Sequence, residues 1–170
     1  MGRDGDALGG GEYDMKGFLE ILMGLVMVAF TGCVNEREEP VWSLQVGDRL
    51  PEFEITLNNG DMVTTESLRG SESVIVFFNT SCVDCRRELP ELQKLYDECI
   101  LQNRPIRFIC ISREEGAASV AKFWNENHFT MPYSAQTDRR IYNLFASSGI
   151  PRLYEADKDL VIIKVNEFDN

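Results

Sequence analysis

Two cysteines separated by two residues, Cys82-Val83-Asp84-Cys85, are the part of this chain best suited to do chemistry. A thiolate is a strong nucleophile, and a second thiol one helical turn away can attack the mixed disulfide that the first one forms. The pair follows the run Val74-Ile75-Val76-Phe77-Phe78 and precedes Leu89, Leu92, Leu95, Tyr96 and Cys99 at spacings of three and four. That pattern predicts a strand-to-helix junction with Cys82 at the helix N-terminus, where unpaired N–H groups and the helix dipole favour a thiolate. The charge of Asp84 opposes thiolate formation at Cys82, and Arg86 and Arg87 are expected to pull the other way. As half of a zinc site the pair lacks two ligands. The single histidine, His128, has nothing nearby that completes a metal set, so no metal is expected. Cys99 and Cys110 lie in core-like patterns and read as buried thiols, with a helix–strand disulfide as the alternative.

The elements that must hold the dithiol are legible around it. Phe53, Ile55 and Leu57 alternate with polar neighbours, Asn58-Asn59-Gly60-Asp61 follows, and Met62 to Thr65 returns, which predicts a hairpin. Residues 73–79 read as a strand buried on both faces. Pro90 falls inside the following helix and is expected to kink it. A second buried strand covers 107–111. Ser112 and Glu115 have capping-box spacing, predicting a helix to about Asn127. A shorter helix is expected over 138–146, closed by Gly149, and two last strands over 152–155 and 160–165 flank the turn Asp157-Lys158-Asp159. Crossovers force the middle strands parallel, and the last two pair antiparallel. The fold class is α/β, a central mixed sheet with helices on both faces and an N-terminal hairpin.

Composition bounds the rest. The 170 residues carry 44% apolar side chains and a net charge of −11, enough for one core and wrong for nucleic acid, whose backbone needs clustered Lys and Arg. Five cysteines are too few for a disulfide scaffold. Phe18 to Thr31 form an apolar run broken only by Glu20, too short to span a bilayer, with Lys16 before it and small residues after it. Phe30-Thr31-Gly32-Cys33 resembles the lipobox of bacterial lipoproteins, in which the cysteine is lipidated and becomes the first mature residue. Residues 1–32 are read as a signal peptide, 33–43 as a tether and 44–170 as the globular domain. Met15-Lys16-Gly17 looks more like a signal-peptide start than residues 1–14, which are expected to be a gene-start artefact.

Beyond the dithiol itself, the segment VIVFFNTSCVDCRRELPELQKLY is similar to the active-site stretch of thioredoxins, and especially of the TlpA/ResA-like extracytoplasmic branch. Val46-Gly47-Asp48, Pro51 and Phe53, then Pro90, then Gly149-Ile150-Pro151 extend the resemblance over about residues 44–165. It implies a thioredoxin fold and a cis proline at Pro151. With Ile150, that proline would shape the groove where a substrate backbone pairs beside the reactive sulfur. It also implies that Glu88, one turn past Cys85, handles protons for the dithiol. Where the family has Trp before the first cysteine this chain has Ser81, and where thioredoxins carry a buried Asp it has Val76. Arg152 replaces the small residue common after the cis proline and is expected to bias the groove towards acidic partners. The C-terminal helix common in the family is expected to be absent, leaving one sheet face bare or free for a partner.

The resulting expectation is an extracytoplasmic thiol–disulfide oxidoreductase, more a reductase than an oxidant, anchored to the membrane through lipidated Cys33. It would use no cofactor beyond the Cys82–Cys85 disulfide. Its partners would be the disulfides or thiols of exported proteins and a membrane electron donor. Two other classes compete. A thiol peroxidase of the AhpC/TSA type needs Pro-x-x-x-Thr/Ser-x-x-Cys, but Ile75 and Asn79 stand at those places before Cys82, and Phe78 and Cys82 before Cys85. A non-enzymatic lipoprotein binding module would keep its function without Cys82.

Overall fold

The computed structural model describes residues 41–167. The 1–32 address, the lipidation candidate Cys33 and most of the 33–43 tether lie outside them.

Strand β1 (Glu54–Thr56) and strand β2 (Met62–Thr64) form the hairpin, with Ile55 opposite Val63. Gly60 in its turn has φ of 90°, a conformation that only glycine adopts without steric cost. A five-stranded sheet follows. It comprises β3 (Glu72–Phe78), β4 (Ile106–Ser112), β5 (Tyr133–Ser134), β6 (Arg152–Ala156) and β7 (Ile162–Glu167), in the order β5-β4-β3-β6-β7. β3 and β4 are parallel, as are β4 and β5, whereas β3–β6 and β6–β7 are antiparallel.

Two helices make the crossovers: α1 (Val83–Leu101) joins β3 to β4, and α2 (Ala117–Glu126) leads from β4 to β5. Both steps move towards the same sheet edge, so the right-handed crossover rule puts both helices on one face. Accordingly Leu89 and Leu92 of α1 pack in one cluster with Val120, Phe123 and Trp124 of α2 and with Val74, Val76 and Phe78 of β3. The opposite face buries Ile75, Phe77 and Tyr154 under Phe53, Ile55 and Val63 and under two 3-10 turns, Glu66–Leu68 and Tyr142–Leu144. Helical elements thus lie on both faces, but on the second they are single turns. β3 is covered from both sides, which is why its apolar run shows no alternation.

Two local expectations are corrected, and one strand is new. The Ser112–Glu115 capping box does not form. The Ser112 hydroxyl donates to Glu115 O and accepts the Gln136 N–H, Glu114 turns at φ 58°, and α2 starts only after Gly116. The 138–146 helix shrinks to the turn Tyr142–Leu144, because Ala146 bridges to Ser43 and Phe145 O accepts the Leu44 N–H. Strand β5 was not anticipated, since two residues carry no periodicity. Pro90 lies inside a helix that runs unbroken from Val83 to Leu101. The sheet face beside α1 is mixed at its far end, where the exposed Ile163 lies near polar neighbours. Leu153 is buried on that face, but Glu155 and Lys164, two residues further along it, form an ion pair at 2.6 Å.

Candidate active site

Cys82 is the N-cap of α1, with extended backbone, and its sulfur accepts the Cys85 N–H at 3.3 Å, the place where a Ser or Asp oxygen commonly sits. The Cys82 thiol donates to Ile150 O at 3.7 Å. Both cysteines are free, Cys82 half-buried and Cys85 at 0% exposure. Burial pushes the Cys85 thiol well above its ordinary range, and its hydrogen bond with Cys82 acts in the same direction. The pair is therefore asymmetric: Cys82 is half-buried, with an N–H pointed at its sulfur, and Cys85 is fully buried and held as a neutral thiol.

The turn into α1 is tied down by its own polar residues. Asn79 Oδ1 accepts the N–H and hydroxyl of Ser81 at 2.9 and 2.6 Å, and Asn79 Nδ2 donates to Arg113 O at 2.9 Å. Cys82 N–H donates to Asn79 O at 3.1 Å. Glu115 accepts the Thr80 N–H at 2.7 Å and also the Thr80 hydroxyl. On the other side of the sulfur, the Ile150–Pro151 bond is cis, and Tyr142 Oη donates to Gly149 O at 2.6 Å, fixing the segment that carries the Ile150 carbonyl.

The structure thus brings Cys82, Cys85, Ile150 and Pro151 together. Glu88 is placed differently. Its carboxylate, 21% exposed, pairs with Arg87 Nε at 3.1 Å, and among the described residues it makes no hydrogen bond to either sulfur. The two arginines expected to favour the thiolate are engaged elsewhere. Arg87 also pairs with Asp84 at 3.1 Å, and the Arg86 guanidinium lies 5.5 Å over the Phe123 ring. Arg152 does not line the groove as an exposed cation: it is 6% exposed and its Nε donates to Ser148 O at 2.8 Å. Val76 is fully buried among apolar side chains. Cys99 and Cys110 are buried and unbridged, and Cys110 contacts Met131 Sδ at 3.9 Å. Among the described residues no three His, Cys, Asp or Glu side chains converge as a metal site would require.

Sequence reasoning missed Glu115 at the site. It stands 35 residues from Thr80, and only the packing of the β4–α2 loop against the β3–α1 turn joins them. No local spacing signals such a contact.

Known proteins share the sequence pattern and the fold. The model of the AhpC/TSA family matches residues 46–165. A thiol–disulfide oxidoreductase ResA of Bacillus thuringiensis (strain Al Hakam) is 23% identical over 147 residues, 86% of this chain and 82% of that protein. A Bacteroides thetaiotaomicron protein, provisionally assigned as a protein disulfide isomerase, superposes with a TM-score of 0.69 at 29% identity, over 75% of this chain and 81% of its own. The thioredoxin domain of a Bacteroides vulgatus thiol–disulfide oxidoreductase gives 0.61 at 20% identity, over 72% and 89%. With a dithiol on a thioredoxin fold and a family model spanning most of its length, the chain belongs to the AhpC/TSA family, as a thiol–disulfide oxidoreductase.

Proposed function

We propose that Cys82 and Cys85 are the redox pair, exchanging disulfides with exported proteins on the extracytoplasmic side of a membrane to which lipidated Cys33 anchors the chain. The observation that carries the dithiol assignment is the Cys85 N–H donating to the sulfur of a half-buried Cys82 beside a fully buried partner. The Cys82 thiolate attacks one sulfur of a substrate disulfide, and the other substrate sulfur leaves and takes up a proton. Cys85 then loses its proton and attacks Cys82 Sγ. The second substrate thiol is released, and the Cys82–Cys85 bridge holds the two-electron oxidation. A membrane electron donor must reduce that bridge before the next cycle.

Reduction of substrates is the favoured direction. A strongly oxidising dithiol needs its reduced form stabilised. Here Asp84 flanks Cys82, while Arg86 stacks on Phe123 and Arg87 pairs with Asp84 and Glu88, so no cation of the helix serves the thiolate. Glu88 is the proposed proton acceptor for Cys85, reaching it through water or by release from Arg87. The Ile150 carbonyl, which holds the resting Cys82 thiol, turns to the substrate backbone when a mixed disulfide forms.

Insulin reduction with Cys82→Ser and Cys85→Ser tests the assignment. Cys82→Ser is expected to abolish turnover, and Cys85→Ser to accumulate a mixed disulfide with the substrate. Turnover surviving in Cys82→Ser would overturn it. The family name also covers thiol peroxidases, which is the one observation favouring a second reading. Rapid consumption of hydrogen peroxide by the reduced chain would establish that reading. Radiolabelled palmitate remaining on a Cys33→Ala precursor would remove the anchor.

A further inference from the structure

Resting on the dithiol assignment, we infer that Glu115 is a positioning residue for Cys82: its carboxylate clamps the N–H and hydroxyl of Thr80 and so holds the turn that presents the sulfur. Thr80 lies two residues before Cys82, where the chain leaves the sheet and has no ladder partner. Its N–H and its hydroxyl both end on the one carboxylate. The clamp is fixed at its base. Glu115 N–H donates to Gln136 O at 2.8 Å, and its carbonyl accepts the hydroxyl of Ser112, which is 1% exposed. A second tie runs beside it, from Asn79 Nδ2 to Arg113 O. The loop 113–115 therefore grips both residues that lead into Ser81 and Cys82, and this grip accompanies the late start of α2 at Ala117.

The position of Cys82 Sγ depends on that entry angle. To accept the Cys85 N–H at 3.3 Å the sulfur must sit at the N-cap with the backbone extended. A freer turn makes that bond for less of the time, and the thiolate loses its nearest donor. Charge argues with the opposite sign. A carboxylate near the turn repels a thiolate, so if charge alone mattered, removing Glu115 would make Cys82 more reactive. Positioning predicts that it becomes less reactive.

The test uses the reduced full chain and the rate at which iodoacetamide labels Cys82 at neutral pH, followed by peptide mass, with the glutathione equilibrium of the Cys82–Cys85 bridge measured in parallel. Glu115→Ala is expected to slow labelling about three- to tenfold, the effect of losing charge-assisted hydrogen bonds that order the turn. Thr80→Val, which leaves the charge in place, is expected to slow it too, whereas Thr80→Ser restores it to within about twofold of the unmodified chain. The bridge equilibrium is expected to move in Glu115→Ala and Thr80→Val and not in Thr80→Ser, a response that general loosening of the fold does not produce. Labelling unchanged or faster in Glu115→Ala overturns the inference, as does equal labelling of Thr80→Val and Thr80→Ser. If Glu115→Ala does not fold, the Thr80 pair decides alone. An unmodified chain that labels at Cys82 and forms the bridge while the variants behave alike sinks the clamp only. One that does neither sinks the dithiol assignment and the clamp with it.

Discussion

Replacing Cys110 by alanine should flatten the alkaline stability profile of the reduced protein. Cys85 and Cys110 are both at 0% exposure, and burial pushes both thiols far above the ordinary range. In the unfolded chain the same groups titrate near about 8.5. Their folded pKa values are raised, so their contribution to stability is fully present below the unfolded pKa and is lost as pH climbs beyond it, because only the unfolded state then sheds the protons. At pH 9.5, one unit above that value, each thiol costs about 1.4 kcal/mol relative to neutral pH, and the pair about 2.8 kcal/mol. Cys110→Ala removes one share, and oxidation to the Cys82–Cys85 bridge removes the other. Urea unfolding at pH 7.5 and 9.5 reads both. Cavity formation lowers the stability of Cys110→Ala at every pH, and tyrosine and lysine titrations are common to all samples, so only the change between the two pH values counts. The reduced parent should lose about 1.4 kcal/mol more than reduced Cys110→Ala over that interval. Equal losses would mean that the β4 thiol ionises inside the fold, and the burial argument applied to Cys85 would fail with it.

Three further outcomes follow from single contacts. Trp124→Phe strands the Met131 carbonyl, which now accepts the indole N–H at 2.9 Å in the core. It should cost about 1–3 kcal/mol in a urea melt, and an unchanged midpoint would contradict the contact. Gly149→Ala meets both a φ of 83° and an ideal Cβ position 3.2 Å from Arg152 Nη2. A loss of about 1–2 kcal/mol is expected, with slower disulfide exchange because Ile150 is displaced, and a stabilised variant would refute it. Asp84→Asn removes a negative charge beside the thiolate and should raise the reduction potential by about 10–20 mV, the reach of a partly exposed charge. A glutathione titration showing a fall would refute the sign.

Elements whose signal is local were legible. The run Val74–Phe78 read as a strand covered on both sides, the leucine spacing after Cys85 as a helix, and Asn59-Gly60 marked the hairpin turn. The proximity of the two cysteines was legible for the same reason: Cys82 and Cys85 are one helical turn apart, so their contact is written in the chain order. Where long-range bonds compete with local preference, the sequence misled. Ser112 and Glu115 have the spacing of a cap, yet their side chains are drawn to Gln136 and Thr80. The 138–146 segment has helical residues, yet Ala146 is pulled into a bridge with Ser43.

The amino-acid sequence alone determined the α/β alternation, the central strand and the dithiol at a helix N-terminus, since each rests on periodicity or on neighbours within a few residues. Tertiary structure alone decided that α1 and α2 share one face, that Arg86 stacks on Phe123, that Arg87 pairs with Glu88 and that Arg152 is buried with its Nε on Ser148 O. It also decided that Glu115 grips the turn before Cys82. A charged or polar side chain takes whichever partner the folded chain brings within about 3 Å, and that partner is set by the packing of distant segments, which spacing along the chain does not encode.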